Sequence, residues 1–166
     1  EHLPLAARGA LHAAAGGVGQ FLCQWANSLG VEVIGTVGSN AKIADAQRNG
    51  CRHVINYKEK DFVQEVARIT QNGGVGMVLD GVGKDTLNKS LDCLWPMGIC
   101  ATFGEASGNT ADLKLDHLAA NSLFLTRPTL ALYKSSKVEL ALGASELFTL
   151  IEKGIINPKI TTYAFK

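Results

Sequence analysis

The ten residues Ala10-Leu-His-Ala-Ala-Ala-Gly-Gly-Val-Gly19 constrain this chain more than any other feature. A short apolar segment runs into a glycine turn, and a helical pattern opens at Val18. That order reads as the first crossover unit of a parallel sheet. Such a turn suits a dinucleotide pyrophosphate. Small residues let the backbone approach the phosphates, and free amides at the helix start face their charge. Set against the pattern G-x-G-x-x-G, the first position is Ala14, the second Gly16 and the third Gly19.

The same alternation continues along the chain. Residues 10–14 are predicted as a strand. A helix over 18–29 would carry Phe21, Leu22, Trp25 and Leu29 on one side and end at Gly30. Further strands are expected over 31–36, 53–56, 75–79, 99–103 and 123–126. Further helices are expected over 40–49 with Ser39 as cap, over 62–70 with Asp61 as cap, and over 85–94, stopped by Pro96. A long helix should start at Ser135 or Ser136 and run to about Lys153. The tail over 160–165 alternates weakly and is expected as a strand. The fold class is therefore α/β: a Rossmann, doubly wound parallel sheet of about six strands in the order 3-2-1-4-5-6, with helices on both faces. Ligands of such sheets bind at the carboxyl ends of the strands.

Composition narrows the function. The chain has 166 residues, is 46% hydrophobic and has a net charge of +1. That length suits one domain with its own core. No charge run suggests a nucleic-acid footprint, and no 18-residue apolar run or signal-peptide pattern is present, so a cytoplasmic protein off the membrane is expected. Cys23, Cys51, Cys93 and Cys100 form no C-x-x-C, and none pairs with histidine at zinc-ligand spacing. They are expected to be buried thiols, and no metal site is expected.

The second predicted strand points to the cofactor type. NAD-binding versions of the fold close that strand with a carboxylate for the ribose hydroxyls. Here the segment is Gly35-Thr-Val-Gly-Ser-Asn-Ala-Lys42, and the first acid is Asp45, inside the next helix. With Gly38, Ser39 and Lys42 in that place, nothing repels a 2′-phosphate, and a hydroxyl and an ammonium attract one. NADP is the expected cofactor.

Two other motifs read differently. A second Gly-Gly-Val-Gly at 73–76 precedes a strand, so its amides belong to the wrong end of the sheet. Tyr133 and Lys137 have the Tyr-x-x-x-Lys spacing of short-chain dehydrogenases, but the helix cap at Ser135 or Ser136 leaves Tyr133 outside the helix.

Taken together, these segments make the chain similar to the nucleotide-binding domain of the quinone oxidoreductases, the zeta-crystallin-like, zinc-independent branch of the medium-chain dehydrogenase/reductase superfamily. The resemblance is carried by His12-Ala-Ala-Ala-Gly-Gly-Val-Gly19, Gln24-Trp25, Ile34-Gly-Thr-Val-Gly38, Val54-Ile-Asn-Tyr57, Leu79-Asp-Gly-Val-Gly83, Ser90-Leu-Asp-Cys-Leu94, Phe103-Gly104 and Thr126-Arg-Pro-Thr-Leu130. It implies that Gly17 and Val18 meet the pyrophosphate. It implies that Gly38, Ser39, Lys42 and Tyr57 surround the adenosine ribose and its 2′-phosphate. Val82, Phe103, Gly104, Pro128, Thr129 and Leu130 would line the path to the nicotinamide. Gly81 stands where that family often has serine.

The resemblance further implies an NADPH-dependent enzyme of about twice this length, passing hydride to a quinone or a similar electron-poor conjugated carbonyl. On that reading residues 1–9 are a lead-in, 10–157 the cofactor domain, and 158–166 the start of a return to an N-terminal catalytic domain absent from this chain. The fragment alone would be inactive, and no catalytic residue is expected within it. A homodimer through the edge strand at 123–126 is implied. Two alternatives stand beside it: a non-catalytic zeta-crystallin-like binding module, and a short-chain dehydrogenase using Tyr133 and Lys137.

Overall fold

A computed structural model of the chain describes residues 7–109 and 113–165. Strands β1 (Arg8–Leu11), β2 (Glu32–Val37), β3 (Cys51–Asn56), β4 (Val75–Asp80), β5 (Leu94–Thr102) and β6 (Phe124–Thr126) form one sheet in the order β3-β2-β1-β4-β5-β6. Every pairing is parallel. A parallel pair needs a crossover, and helices supply them. These are α1 (Gly17–Ser28), a 3-10 turn (Asn40–Lys42) running into α2 (Ile43–Arg48), α3 (Phe62–Thr70), α4 (Leu87–Asp92) and α5 (Leu115–Ala119). After β6 come α6 (Leu130–Tyr133) and α7 (Lys137–Glu152). The predicted fold class and strand order are those observed.

The core has two halves because successive strand residues point to opposite faces. Ala10, Ile34 and Val78 pack with Phe62, Val66, Leu87 and Leu91 from α3 and α4. Leu11, Val33 and Val37 pack on the other face with Cys23 of α1 and Ala46 of α2. All four cysteines are buried free thiols.

Local chemistry sets several boundaries. The Asp61 carboxylate accepts the amides of Val63 at 2.9 Å and Gln64 at 3.2 Å, so α3 begins where predicted. Ser136 and Glu139 form a reciprocal capping box that starts α7.

Other expectations need correction. The first strand ends at Leu11, because Ala13 takes a left-handed φ of 55° and turns the chain. Its start at Arg8 lies within the segment expected as a lead-in, of which residues 1–6 fall outside the described chain. The helix expected over 40–49 is split into the 3-10 turn and α2, and the Ser39 side chain makes no capping bond. The core side of α1 is formed by the buried Gly19 and Cys23 with Leu22 and Ala26 packed beside them, so Leu22 faces the core as part of the expected side, while Leu29 is exposed. Pro96 does not follow a long helix directly. Leu94 already pairs with Val75, and the strand bulges through Met97 (φ 62°) before pairing resumes at Ile99. The fourth helix is accordingly only Leu87–Asp92. The short helix α6 was not expected, and residues 160–165 form no strand.

Candidate functional site: the carboxyl rim of the sheet

The sequence-predicted residues lie along one rim, at the ends of β1 to β6. At its centre is the glycine turn after β1. Ala14 donates its amide to the Thr36 carbonyl at 3.0 Å, and Gly16 donates to Ala13 at 2.8 Å. Gly16 is the extended N-cap of α1 and brings no side chain to cap it. The amides of Gly17, Val18 and Gly19 therefore open the helix without intrahelical acceptors. Gly16, Gly17 and Val18 are exposed and Gly19 is buried. A Cβ at Gly19 would lie 2.3 Å from the Ala13 carbonyl oxygen and 2.8 Å from that of Ala14, so only glycine lets helix and turn pack this closely. The residue in the left-handed conformation is Ala13, one before the aligned first position, which explains why Ala14 could replace glycine there.

To one side lie the ends of β2 and β3. Tyr57 donates its amide to the Val37 carbonyl at 3.2 Å, and its ring covers Gly38, whose hypothetical Cβ would sit 2.9 Å from the phenol oxygen. Gly38, Ser39 and Tyr57 are thus brought together. Lys42 closes the exposed 3-10 turn beside them. Asp45, the next acid along the chain, is engaged by Arg48 and by Lys159. Sequence reasoning missed Asn40 and Asn56. The Asn56 amide donates to Asn40 Oδ1 at 2.8 Å, and the Asn40 amide donates to Glu59 at 2.7 Å, which ties the two loops together.

On the other side are the ends of β4, β5 and β6. Gly104 packs so tightly on Gly81 that a Cβ on it would meet the Gly81 carbonyl oxygen at 2.5 Å. The Phe103 ring fills the space above Gly81, within 3.0 Å of a hypothetical Cβ there, so a side chain at residue 81 would have to displace that ring. Val82, expected to line the groove, is largely buried, while Phe103 is partly exposed. The Ser107 hydroxyl donates to the Val82 carbonyl at 2.9 Å and locks the two loops together. Arg127 reaches Glu105 at 2.8 Å, linking the β6 end to the β5 loop. Beyond it, Pro128 is half-buried and Thr129 and Leu130 are exposed. Among the described residues, no backbone hydrogen bond joins Leu130 to the β4 and β5 loops.

Tyr133 closes α6 and Lys137 opens α7, so the two do not share a helix face and the short-chain pair is not assembled. Among the described residues, no group of three or more His, Cys, Asp or Glu converges as a metal site. Among them, too, no helix is long and apolar enough to cross a membrane.

Comparison with known proteins agrees with this geometry. A profile for the family described as zinc-binding dehydrogenase matches residues 17–142. The chain is 44% identical over 152 residues to a 2-haloacrylate reductase from Burkholderia sp, spanning 90% of this chain and 46% of that protein. It is 45% identical over 147 residues to quinone oxidoreductase 1 from Escherichia coli strain K12, spanning 88% of this chain and 45% of that one. A crystal structure of the Escherichia coli quinone oxidoreductase complexed with NADPH matches with a TM-score of 0.89 at 42% identity, over 94% of this chain and 48% of the other. The chain thus spans about half the length of these relatives.

Proposed function

The chain belongs to the zinc-binding dehydrogenase family, and from that premise we propose that it is the NADPH-binding domain of an oxidoreductase acting on quinones or similar electron-poor conjugated carbonyl compounds. One observation carries the cofactor reading: uncapped amides at the start of α1, where Gly17 and Val18 are exposed, next to a β2 end that has Gly38, Ser39 and Lys42 and no carboxylate of its own, the neighbouring Glu59 being bonded to Asn40. The NADPH complex of a relative with the same fold supports it. The relatives' names, a quinone oxidoreductase and a 2-haloacrylate reductase, support the acceptor class.

The residues fit the group. Gly16, Gly17, Val18 and Gly19 would hold the pyrophosphate through backbone amides and the positive end of α1. Ser39 and Lys42 would grip the 2′-phosphate, with Tyr57 packed over Gly38 as one wall of the ribose site. Val82, Phe103, Gly104, Pro128, Thr129 and Leu130 would border the nicotinamide end, where the Phe103 ring keeps water off one side. Bound NADPH supplies the hydride. The chain's own residues orient and shield, and none is assigned as acid, base or nucleophile.

The reading extends to the rest of the protein. Residues 8–157, from the start of β1, would form the cofactor domain, and a catalytic domain would pack on it. The exposed Leu130, Leu132, Val138 and Leu142 offer that domain an apolar surface. β6 pairs with β5 on one side only, so a homodimer through residues 123–126 is part of the reading. A cytoplasmic location is part of it too, and four free thiols suit a reducing compartment. Calorimetric titration of the chain with NADPH and with NADH tests the cofactor assignment. Saturable NADPH binding, about tenfold or more tighter than NADH, is expected. Equal affinities, or no NADPH binding, would overturn it.

A further inference from the structure

Beneath the rim, one buried chain of side chains ties three of its turns together. Asp80, fully buried at the end of β4, accepts the amides of Val82 at 2.8 Å and Gly83 at 3.0 Å on Oδ1. Its Oδ2 accepts the hydroxyls of Thr86 at 2.8 Å and Ser90 at 2.9 Å. Ser90 Oγ lies 2.9 Å from His12 Nε2, and His12 Nδ1 lies 2.9 Å from Thr36 Oγ1. His12, Thr36 and Ser90 are buried like Asp80, and the Phe62 ring packs against the imidazole in a T-shaped arrangement with ring centres 4.9 Å apart. Each link meets a different part of the proposed groove. His12 directly precedes the turn at Ala13, Thr36 lies just before Gly38, and Asp80 holds the turn of Val82 and Gly83.

Proton counting fixes the tautomer. The Ser90 hydroxyl has one proton, and both the Asp80 carboxylate and the Thr86 carbonyl, each 2.9 Å away, compete for it. His12 must then donate from Nε2 to Ser90 Oγ, leaving Nδ1 to accept from the Thr36 hydroxyl. The imidazole is neutral, because burial lowers its pKa and Asp80 opposes that only in part.

We propose that His12 is a positioning residue for the cofactor, its Nε2–H ring locking the glycine turn and the Thr36 strand end to the Asp80 turn. The inference rests on the NADPH reading above. A fully satisfied buried network holds its members in one arrangement, whereas a cut one leaves polar groups without partners. The amides of residues 17–19 and the loop at Val82 then keep a fixed spacing across the groove, as a site built on rigid supports requires.

Glutamine can replace both bonds, with its amide nitrogen donating to Ser90 and its oxygen accepting from Thr36. Leucine fills similar space and makes neither. Titration of the 166-residue chain with NADPH should show His12→Gln within about threefold of wild type and His12→Leu weakened about tenfold or more. Ring-nitrogen NMR of the wild type should show the neutral Nε2–H tautomer at neutral pH, a readout that stands even where the leucine variant fails to fold. A folded leucine variant that binds like wild type, a glutamine variant as weak as leucine, or an Nδ1–H spectrum would each overturn the proposal while leaving the cofactor reading intact. Wild type that fails to bind NADPH overturns both.

Discussion

Tyr57 stands directly over Gly38: its phenol oxygen occupies the place where a side chain at residue 38 would begin, 2.9 Å from a Cβ built there. The residue without a side chain and the aromatic that uses its space form one surface at the ends of β2 and β3. A Gly38→Ala methyl must push the phenol aside. Because that is the free end of a side chain, stability should change by less than about 1 kcal/mol. NADPH affinity should fall about three- to tenfold by fluorescence titration. Unchanged affinity would remove this surface from the site.

The cation beside it makes a sharper prediction. Lys42→Ala should weaken NADPH binding by about 1–3 kcal/mol, roughly 5- to 150-fold, and leave NADH nearly unchanged. The small end of that range is favoured because Lys42 is exposed to solvent. Parallel losses for both cofactors would show that Lys42 does not meet the 2′-phosphate.

Much of the fold was legible because periodicity and punctuation agreed. Asp61 announced α3 by a local bond to its own first turn, and the buried run of β2 and the short apolar segment of β4 read as strands without reference to the rest of the chain. Local rules failed where pairing between distant segments prevailed. Leu94 joins Val75 in the sheet although Pro96 follows, because the bulge at Met97 carries the chain past the proline. The glycine turn and the missing acid after β2 were readable because each lies in a single stretch of chain. The network of His12, Thr36, Ser90 and Asp80 was not, because its partners are up to 78 residues apart and polar singly. Only the strand order makes them neighbours.

Gly19 tests the packing of the first crossover. Its Cβ would meet two backbone carbonyl oxygens, and neither can swing away as a side chain would. Gly19→Ala should cost about 1–3 kcal/mol in chemical denaturation. An alanine variant as stable as wild type would mean that the turn relaxes without strain.

The buried thiols predict a loss of stability in alkali. Burial pushes Cys93 and Cys100 up to about 12, from an ordinary value near 9.0. Between those values the unfolded chain has released protons that the folded chain keeps, so stability is full below about pH 9 and falls as pH rises. Melting curves of wild type and a Cys93→Ala, Cys100→Ala double variant should diverge in slope above that pH, with the double variant flatter. Parallel slopes would contradict the burial effect.

The central claim is that the amides opening α1 hold the cofactor's phosphates, and amide NMR with added NADPH measures this residue by residue. The account predicts that the resonances of Gly16, Gly17, Val18 and Gly19 shift strongly and saturably, together with those of Gly38 and Ser39. Resonances of the glycine turn that stay in place while NADPH binds elsewhere, or does not bind at all, would contradict it.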